Sequence, residues 1–504
     1  MTSSGQTPRQ DPRAHGQAPV NQWKTLDKDL HRIGLLEEAT RFTARPLMAP
    51  GLALAFIVLA GVLAAVLTEA QPGMLIVIAA AAIGAYMALN IGANDVANNM
   101  GPAVGGKALS LGAALVIAAV FETAGALIAG ADVVKTVSTG ILAPDAVSDP
   151  SHFIWAMMAA LLASALWLNV ATWFGAPVST THSIVGGVAG AGVAAAGFGA
   201  VNWGALGTIA LSWVLSPVLG GVIAAAFLAL IKARILYVPD KIAAGRFWVP
   251  VLIGVMAGAF AAYLAYKGLN ALVDVSLGTA TLIGLVAGVL GWALWRPVAR
   301  RQSQGQENRK KSLRKLFAFP LVASAALLSF AHGANDVANA VGPLAAIVQV
   351  ARLGVISGEV TIPLWVMVVG ALGISVGLLL FGPKLIRLVG SEITKLNPMR
   401  AFCVALSAAI TVIAASWLGL PVSSTHIAVG GIFGVGFYRE WHAERRARML
   451  GLQKGKAVPV EERKRRYLVR RAHMATIGTA WVVTVPVSAG LSAGLYLAMT
   501  AIAR

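Results

Sequence analysis

The chain has 504 residues, of which 57% are hydrophobic and 12% are charged, and its mean hydropathy is +0.75. Soluble domains carry about 25% charged residues, so this composition excludes an ordinary water-soluble fold. The net charge of +19 does not predict a nucleic-acid partner, because the basic residues lie in short segments between apolar runs, as the positive-inside rule predicts for a membrane protein.

The first 45 residues form a polar, basic tail with no apolar core or cleavage site of a signal peptide, so we expect a cytoplasmic N-terminus. Within this tail, Leu26, Leu30 and Ile33 recur at helical spacing between Trp23 and Phe42, which predicts an amphipathic helix. That helix either lies on the membrane surface or packs on the protein's own cytoplasmic loops.

Long apolar runs then follow to the end of the chain. Crossing a membrane takes about 20 apolar residues in a helix, and the runs lie at 47–68, 74–91, 109–130, 153–174, 178–197, 204–231, 248–266, 275–295, 316–332, 363–382, 401–420, 422–437 and 475–502. They predict an all-α polytopic membrane protein with about twelve transmembrane helices. We divide it into the tail (1–45), a first transmembrane repeat region (46–231), linking helices with a basic cytoplasmic loop (232–315), and a second transmembrane repeat region (316–504) with a basic loop at 438–471.

Two motifs occur twice in the same order and at nearly the same offset, which indicates an internal repeat. Residues 92–102, Gly-Ala-Asn-Asp-Val-Ala-Asn-Asn-Met-Gly-Pro, return at 333–343 as Gly-Ala-Asn-Asp-Val-Ala-Asn-Ala-Val-Gly-Pro. Residues 177–182, Pro-Val-Ser-Thr-Thr-His, return at 421–426 as Pro-Val-Ser-Ser-Thr-His.

The charges of the loops predict that the two halves have opposite orientations in the membrane. The basic segments 384–400 and 438–471 correspond to non-basic stretches, 131–152 and the one after Gly197. By the positive-inside rule, equivalent loops therefore lie on opposite sides. Inverted repeats with broken or re-entrant helices are a common plan of secondary transporters, with the binding site near the bilayer midplane.

The first motif brings a carboxylate and several amides to the end of an apolar run. Residues three or four apart share a helix face, so each copy makes a cluster of oxygen ligands: Asn94, Asp95 and Asn98, and Asn335, Asp336 and Asn339. Intramembrane acids usually mark ion paths, and such oxygens suit sodium or protons better than zinc or copper. Alternatively, Asp95 and Asp336 only form hydrogen bonds between helices.

The second motif is typical of a half-helix that begins inside the membrane. Pro177 and Pro421 end the preceding runs, and the residues after them can cap the next helix, whose N-terminus attracts anions. The candidate anion-binding hydroxyls are Ser179, Thr180, Thr181, Ser423, Ser424 and Thr425. Because neither motif contains Arg or Lys, a bound dianion would need co-bound cations. The simpler alternative is a capped helix without a ligand.

Three further titratable residues in apolar runs are candidates for a role in transport. His182 and His426 follow the hydroxyl clusters and either relay protons or, as we favour, pack. Glu122 has no acidic counterpart, since the equivalent place lies near Met367, so it is either a proton-linked acid or part of an aqueous vestibule. There is no CxxC or His/Cys zinc spacing, and we expect no tightly bound cofactor.

At these motifs the sequence resembles the PiT family of inorganic phosphate transporters over about residues 47–500. The paired Gly-Ala-Asn-Asp-Val-Ala-Asn segments are that family's signature, and both Pro-Val-Ser-[Ser/Thr]-Thr-His segments match. The resemblance implies phosphate held between two inverted repeats by the six hydroxyl residues with Asn94 and Asn335. It places the coupling cations at Asp95, Asn98, Asp336 and Asn339, with sodium on the two acids if sodium is the coupling ion. Ala340 replaces the Asn99 of the first copy, so the cation half-sites need not be equivalent.

The predicted function is therefore low-affinity symport of phosphate, free or as metal phosphate, with protons or sodium across the cell inner membrane. The long central hydrophilic domain of animal members is absent, which favours a bacterial-type transporter. The alternatives are an uncoupled anion channel, which the buried acids disfavour because carboxylates repel anions in a pore, and a transporter of another tetrahedral oxyanion such as sulfate. An enzyme is not expected, since no nucleophile has a base and orienter at recognisable spacing. The expected partners are phosphate and the lipid bilayer, and the sequence leaves a homodimer open.

Overall fold

The structure is a computed structural model that describes residues 47–69, 71, 73–143, 147, 149–174, 178–268, 273–388, 397–449 and 471–503. The chain divides into two units, Met1–Leu54 and Ala55–Arg504. Of the first unit only residues 47–54 are described, and they are helical. The predicted amphipathic helix between Trp23 and Phe42 lies outside the described residues. The second unit contains all the other described residues.

The described residues form sixteen α-helices and no β-strand. They are α1 (Leu47–Leu67), α2 (Met74–Gly105), α3 (Leu111–Ala129), α4 (Ala131–Thr139), α5 (Pro150–Trp173), α6 (Thr180–Ala196), α7 (Trp203–Ile231), α8 (Lys241–Lys267), α9 (Leu277–Ser303), α10 (Leu313–Leu316), α11 (Ala318–Asp336), α12 (Ala338–Leu353), α13 (Leu364–Leu388), α14 (Pro398–Trp417), α15 (Ser424–Met449) and α16 (Arg471–Ala503). A 3-10 turn (Phe198–Ala200) precedes α7, and a π-helical turn (Lys232–Leu236) follows it.

Within this described part, eleven helical segments are long and apolar enough to cross a membrane. The helical segment Leu313–Leu353 counts as one of them, although Val337 separates α11 from α12. Helix α6 has only 17 residues, and α15 has a strongly polar second half, so neither is among the eleven. The all-α polytopic fold predicted from the apolar runs is therefore confirmed.

Helices α9 and α15 continue into the basic segments that follow their apolar runs. Helix α9 extends to Ser303 and α15 to Met449, so the basic stretch 296–303 and the first part of the basic loop 438–471 are helical. Arg, Glu and Ala are good helix formers, and they dominate these extensions. The change in polarity thus marks where the helix leaves its apolar surroundings, and it does not mark the end of the helix.

The two halves exchange helices with each other. Helix α2 of the first half packs on α13 of the second, and α11 of the second half packs on α3 of the first. In the same way, α7 packs on α15 and α16 packs on α6. These pairs are equivalent under the sequence repeat, so the core is built from reciprocal contacts between the halves.

Glycines allow the closest of these crossings. A Cβ at Gly92 would overlap the backbone carbonyl of Ile374 in α13, and a Cβ at Gly333 would overlap that of Glu122 in α3. Small residues let helix backbones approach inside membranes. The glycine that opens each copy of the first motif therefore seats the motif against a helix of the other half.

Candidate functional site

The first motif of one half meets the second motif of the other half. The Thr425 hydroxyl donates to Asp95 Oδ1 at 2.9 Å, and Asn98 Nδ2 donates to Thr425 Oγ1 at 2.7 Å. Asn98 Nδ2 also lies 3.3 Å from Asp95 Oδ1, as expected for residues three apart on a helix. The acid–amide cluster of the first half thus contacts the hydroxyl-rich helix start of the second half at a buried position.

The mirror contact lies between the other two segments. Asn339 Nδ2 lies 3.2 Å from Thr181 Oγ1 and 3.4 Å from Thr180 Oγ1. Within the second half, the Ser424 hydroxyl donates to Asp336 Oδ2 at 3.3 Å. The structure therefore brings all four predicted segments together, and we name this buried cluster of side chains the central pocket.

Asn94 and Asn335 anchor the motifs to neighbouring helices. Asn94 donates to Thr172 Oγ1 near the end of α5, and Asn335 donates to Ser416 Oγ near the end of α14, both at 2.9 Å. Asn335 Oδ1 also accepts from the Val422 backbone N–H at 3.1 Å, just before α15. Asn335, a predicted phosphate ligand, thus positions the start of α15.

Helices α6 and α15 begin inside the pocket. Ser179 Oγ accepts from the His182 backbone N–H at 3.1 Å, and Ser423 Oγ accepts from the His426 N–H at 3.3 Å, so both serines are N-caps. The six predicted hydroxyl residues are at most 3% exposed. The first N–H groups of a helix lack partners within it and give that end a partial positive charge. Two such helix starts lie at the pocket.

His332 is a central residue that the sequence reasoning did not select. Its Nε2 lies 2.8 Å from Asp336 Oδ2 and 3.7 Å from Asp95 Oδ2, and its Nδ1 lies 3.2 Å from Glu122 Oε2. All four side chains are at most 1% exposed. The available signal was the spacing, since His332 precedes Asp336 by one helical turn within an apolar run.

Glu122 is paired and has an apolar counterpart. Its Oε1 accepts from Asn99 Nδ2 at 2.9 Å. Because Gly333 packs on Glu122 as Gly92 packs on Ile374, the counterpart of Glu122 is Ile374, and our expectation of a place near Met367 is wrong by about two helical turns. The residue equivalent to His332 is Ile91, and both isoleucines are fully buried. The His–Glu pair is thus confined to one side of the pseudo-symmetric core.

Several buried oxygen atoms at the pocket accept no hydrogen bond from the described residues. They are Asn94 Oδ1, Asp95 Oδ2, Asp336 Oδ1 and Asn339 Oδ1. Ligand atoms of Asp95, His332 and Asp336 all lie within 4.8 Å of one another. Buried acceptors normally have a partner, so the four unpartnered oxygens fit a cation.

His182 and His426 form a ring pair beside the pocket. Their ring centroids are 4.4 Å apart in an edge-on arrangement, and the His182 ring is 3.9 Å from that of Trp213. Both are at most 4% exposed. This arrangement fits the packing interpretation of the two histidines.

Two repeats pack reciprocally on each other around a buried pocket that contains unpartnered oxygen ligands. Together with the membrane-spanning helices, this arrangement defines the class of the protein as a polytopic membrane transporter. A model of the phosphate transporter family matches residues 91–492. The chain belongs to this family, whose members are transporters and not enzymes, and the PiT resemblance is confirmed.

Similar proteins cover nearly the whole chain. A Helicobacter pylori protein named "Putative phosphate permease" is 45% identical over 94% of this chain and 98% of its own length. A Thermococcus kodakarensis protein, also named "Putative phosphate permease", is 38% identical over 82% of this chain and 95% of its own length. A solved structure titled "The sodium-dependent phosphate transporter" has a TM-score of 0.76 and 35% identity, and it covers 85% of this chain and 99% of that one.

Proposed function

We propose that this chain is a symporter that carries inorganic phosphate together with a cation across the cell inner membrane. The observation that supports this most is the hydrogen bond from Thr425 to Asp95 across the repeat boundary. In this structure Asp95, a candidate cation ligand, and Thr425, a candidate phosphate ligand, are hydrogen-bonded to each other. Binding of one substrate therefore changes the availability of the other's ligand.

The coupling follows from competition for the carboxylates. A cation at Asp95 displaces the Thr425 hydroxyl, which then donates to a phosphate oxygen, and Asp336 and Ser424 act in the same way. The helix starts at Thr180 and Ser424 supply further N–H donors to the anion. Phosphate and cation thus bind adjacent to each other, and the charge of one offsets that of the other.

Sodium is the coupling ion that the ligand chemistry favours. Four of the unpartnered atoms at the pocket are carboxylate and amide oxygens, which suit hard cations. The solved relative at 35% identity is named as sodium-dependent. Asp95 and Asp336 would each hold one sodium ion, assisted by Asn98 and Asn339.

The His332–Glu122 pair favours the proton as a second candidate. His332 contacts three acids in the pocket and can carry a proton near neutral pH. The counterparts of His332 and Glu122 in the repeat, Ile91 and Ile374, cannot bind a proton, so proton coupling would use only one side of the core.

The test is uptake of radiolabelled phosphate into proteoliposomes that hold the purified full-length chain. A sodium gradient and a proton gradient are imposed separately, at equal internal phosphate. We expect accumulation above the external concentration under the sodium gradient, and sulfate in tenfold excess should not compete. Accumulation under the proton gradient alone would assign the proton, and equilibration without accumulation would assign a channel.

We also propose that the N-terminus and the basic segments face the cytoplasm. The basic ends of α9 and α15 support this through the positive-inside rule. Proteolysis of the tail in inside-out but not right-side-out vesicles would be the matching result. Low affinity, metal phosphate as substrate and the homodimer stay predictions.

A further inference from the structure

A second polar cavity lies at the basic end of the molecule, outside the central pocket. Its volume is about 790 Å³, and its walls come from the end of α7, the 310–314 segment, the start of α14 and the polar part of α15. Seven cationic side chains line it: Lys232, Lys310, Lys311, Arg314, Arg400, Arg439 and Arg446. Among the described lining residues there is no Asp or Glu.

The cations are arranged around an aromatic wall. The rings of Tyr237 and His442 stack at 5.3 Å and 2°, and Arg446 and Lys310 lie 4.8 Å and 5.6 Å from the Tyr237 ring. Burial lowers the pKa of His442, and the neighbouring cations, Lys232 first, lower it further. The ring therefore stays neutral beside a strong local excess of positive charge.

The inner wall of this cavity carries half-buried cations. Lys232, Arg400 and Arg439 are half-buried, so their charges are partly desolvated. The Asn397 side chain caps α14 by accepting from the Arg400 backbone N–H at 3.1 Å, so the positive end of that helix also lies at the cavity. Gathering half-buried like charges is costly unless an anion offsets them.

We propose that this cavity binds an anion with two or more phosphoryl groups. Arginine matches phosphate oxygens in bidentate pairs, and four arginines exceed what one orthophosphate can use. The volume is that of typical small-molecule pockets, about 300–1,000 Å³. Such an anion is either a soluble polyphosphate or nucleotide, or the headgroup of a lipid with two phosphates. Basic pockets between membrane helices are suited to lipid headgroups of this kind.

The cavity is distinct from the central pocket but shares two helices with it. Helix α14 carries Arg400 at the cavity and Ser416 at the pocket, about 24 Å apart at 1.5 Å per residue. Helix α15 carries Arg439 and Thr425, about 21 Å apart. A bound anion would hold the far ends of both helices in place.

The test measures the thermal stability of the full-length protein. In detergent the probe is inorganic tripolyphosphate, compared with sodium chloride at equal ionic strength. In lipid nanodiscs the probe is cardiolipin, compared with phosphatidylglycerol at equal charge. We expect at least one probe to raise the Tm, because a ligand that binds only the folded state stabilises it. Tripolyphosphate alone would assign a soluble ligand, and cardiolipin alone a lipid.

Variants locate the effect. Arg400→Gln with Arg439→Gln should weaken the binding of the active probe by about a hundredfold, because removing each charge-assisted hydrogen bond weakens binding about tenfold. Arg445→Gln, on the same helix but outside the lining, should not change it. If the double variant folds poorly, the exposed pair Arg314→Gln and Arg446→Gln serves instead. No Tm shift with either probe, or an equal weakening in Arg445→Gln, would overturn the proposal.

Discussion

At the residue scale, Asp95 and Asp336 are equivalent in the repeat but differ in their neighbours. Asp95 Oδ1 accepts from Thr425 and from Asn98, whereas Asp336 Oδ2 lies against Ser424 and, at 2.8 Å, against His332. The substitution of Ala340 for Asn99 had already predicted that the half-sites need not be equivalent. The structure shows the larger difference at His332.

Asp95→Asn and Asp336→Asn should each reduce cation-driven phosphate uptake. Each removes a charged acceptor from the cation site, where a charge-assisted hydrogen bond contributes about 1.5–3 kcal/mol. The expected reduction is about ten- to a hundredfold, measured as initial uptake rates in proteoliposomes. Glu359→Gln, an exposed acid, is the matched control and should transport normally. Full cation-driven uptake in both Asp variants would refute the cation assignment.

Ser179→Ala and Ser423→Ala should raise the KM for phosphate more than the half-saturating cation concentration. Both remove a hydroxyl from the predicted anion site, and both also remove an N-cap worth about 1 kcal/mol. Ser110→Ala removes the cap of α3 outside the pocket and controls for the capping effect alone. An unchanged KM for phosphate would count against the anion role of these serines.

Removing His332 alone should destabilise the protein more than removing His332 and Glu122 together. His332→Gln leaves Glu122 buried without its histidine partner, and breaking a buried pair by removing one member costs about 3–5 kcal/mol. The double variant His332→Gln with Glu122→Gln retains two neutral groups that can share a hydrogen bond. Thermal unfolding in detergent of both variants and of Glu122→Gln completes the cycle. Additive changes in Tm would show that the two residues do not interact.

The candidate site could be predicted from sequence as far as its motifs, but not as far as its pairings. Repetition singled out Asp95, Asp336 and the six hydroxyl residues. Nothing in the sequence says that Thr425 contacts the acid of the other half, because that contact depends on how the repeats interlock. His332 was missed for the same reason, since Glu122 reaches it only through the packing of α3 on α11.

At the element scale, the starts of α6 and α15 followed from local chemistry. A run of Ser and Thr before a small-residue helix predicts an N-cap, and Ser179 and Ser423 take that role. The ends of α9 and α15 did not follow from hydropathy, because the basic residues that close an apolar run also favour helix. Polarity therefore predicts membrane boundaries better than helix boundaries.

Gly92→Leu and Gly333→Leu should prevent correct packing of the first motif. A side chain at either position meets the backbone of the crossing helix, which cannot move aside as a flexible side chain can. Overpacking a core typically costs about 1–3 kcal/mol, and backbone overlap should reach or exceed that range. The readout is the yield of monodisperse protein and its Tm. Gly112→Leu in α3, where nothing lies within 4 Å, should leave both close to wild type.

At the scale of the whole molecule, the apolar runs were sufficient to predict a polytopic helical protein, and the motifs were sufficient to predict a duplication. The interlocking of the halves was not predictable, because hydrophobic runs look the same whether a helix packs on its own repeat or on the other. The pairs α2 with α13 and α3 with α11 show the latter. The pocket therefore exists only where both repeats contribute.

This exchange of helices has a consequence for biosynthesis. Helices α2 and α3 are synthesised well before α13 and α11. During that time their glycine-containing faces lack the helices on which they pack in the folded protein. A chain cut in the exposed turn at Gly305 and made as two polypeptides should accordingly mature only when both pieces are co-expressed. Each piece would supply the helices on which the helices of the other piece pack.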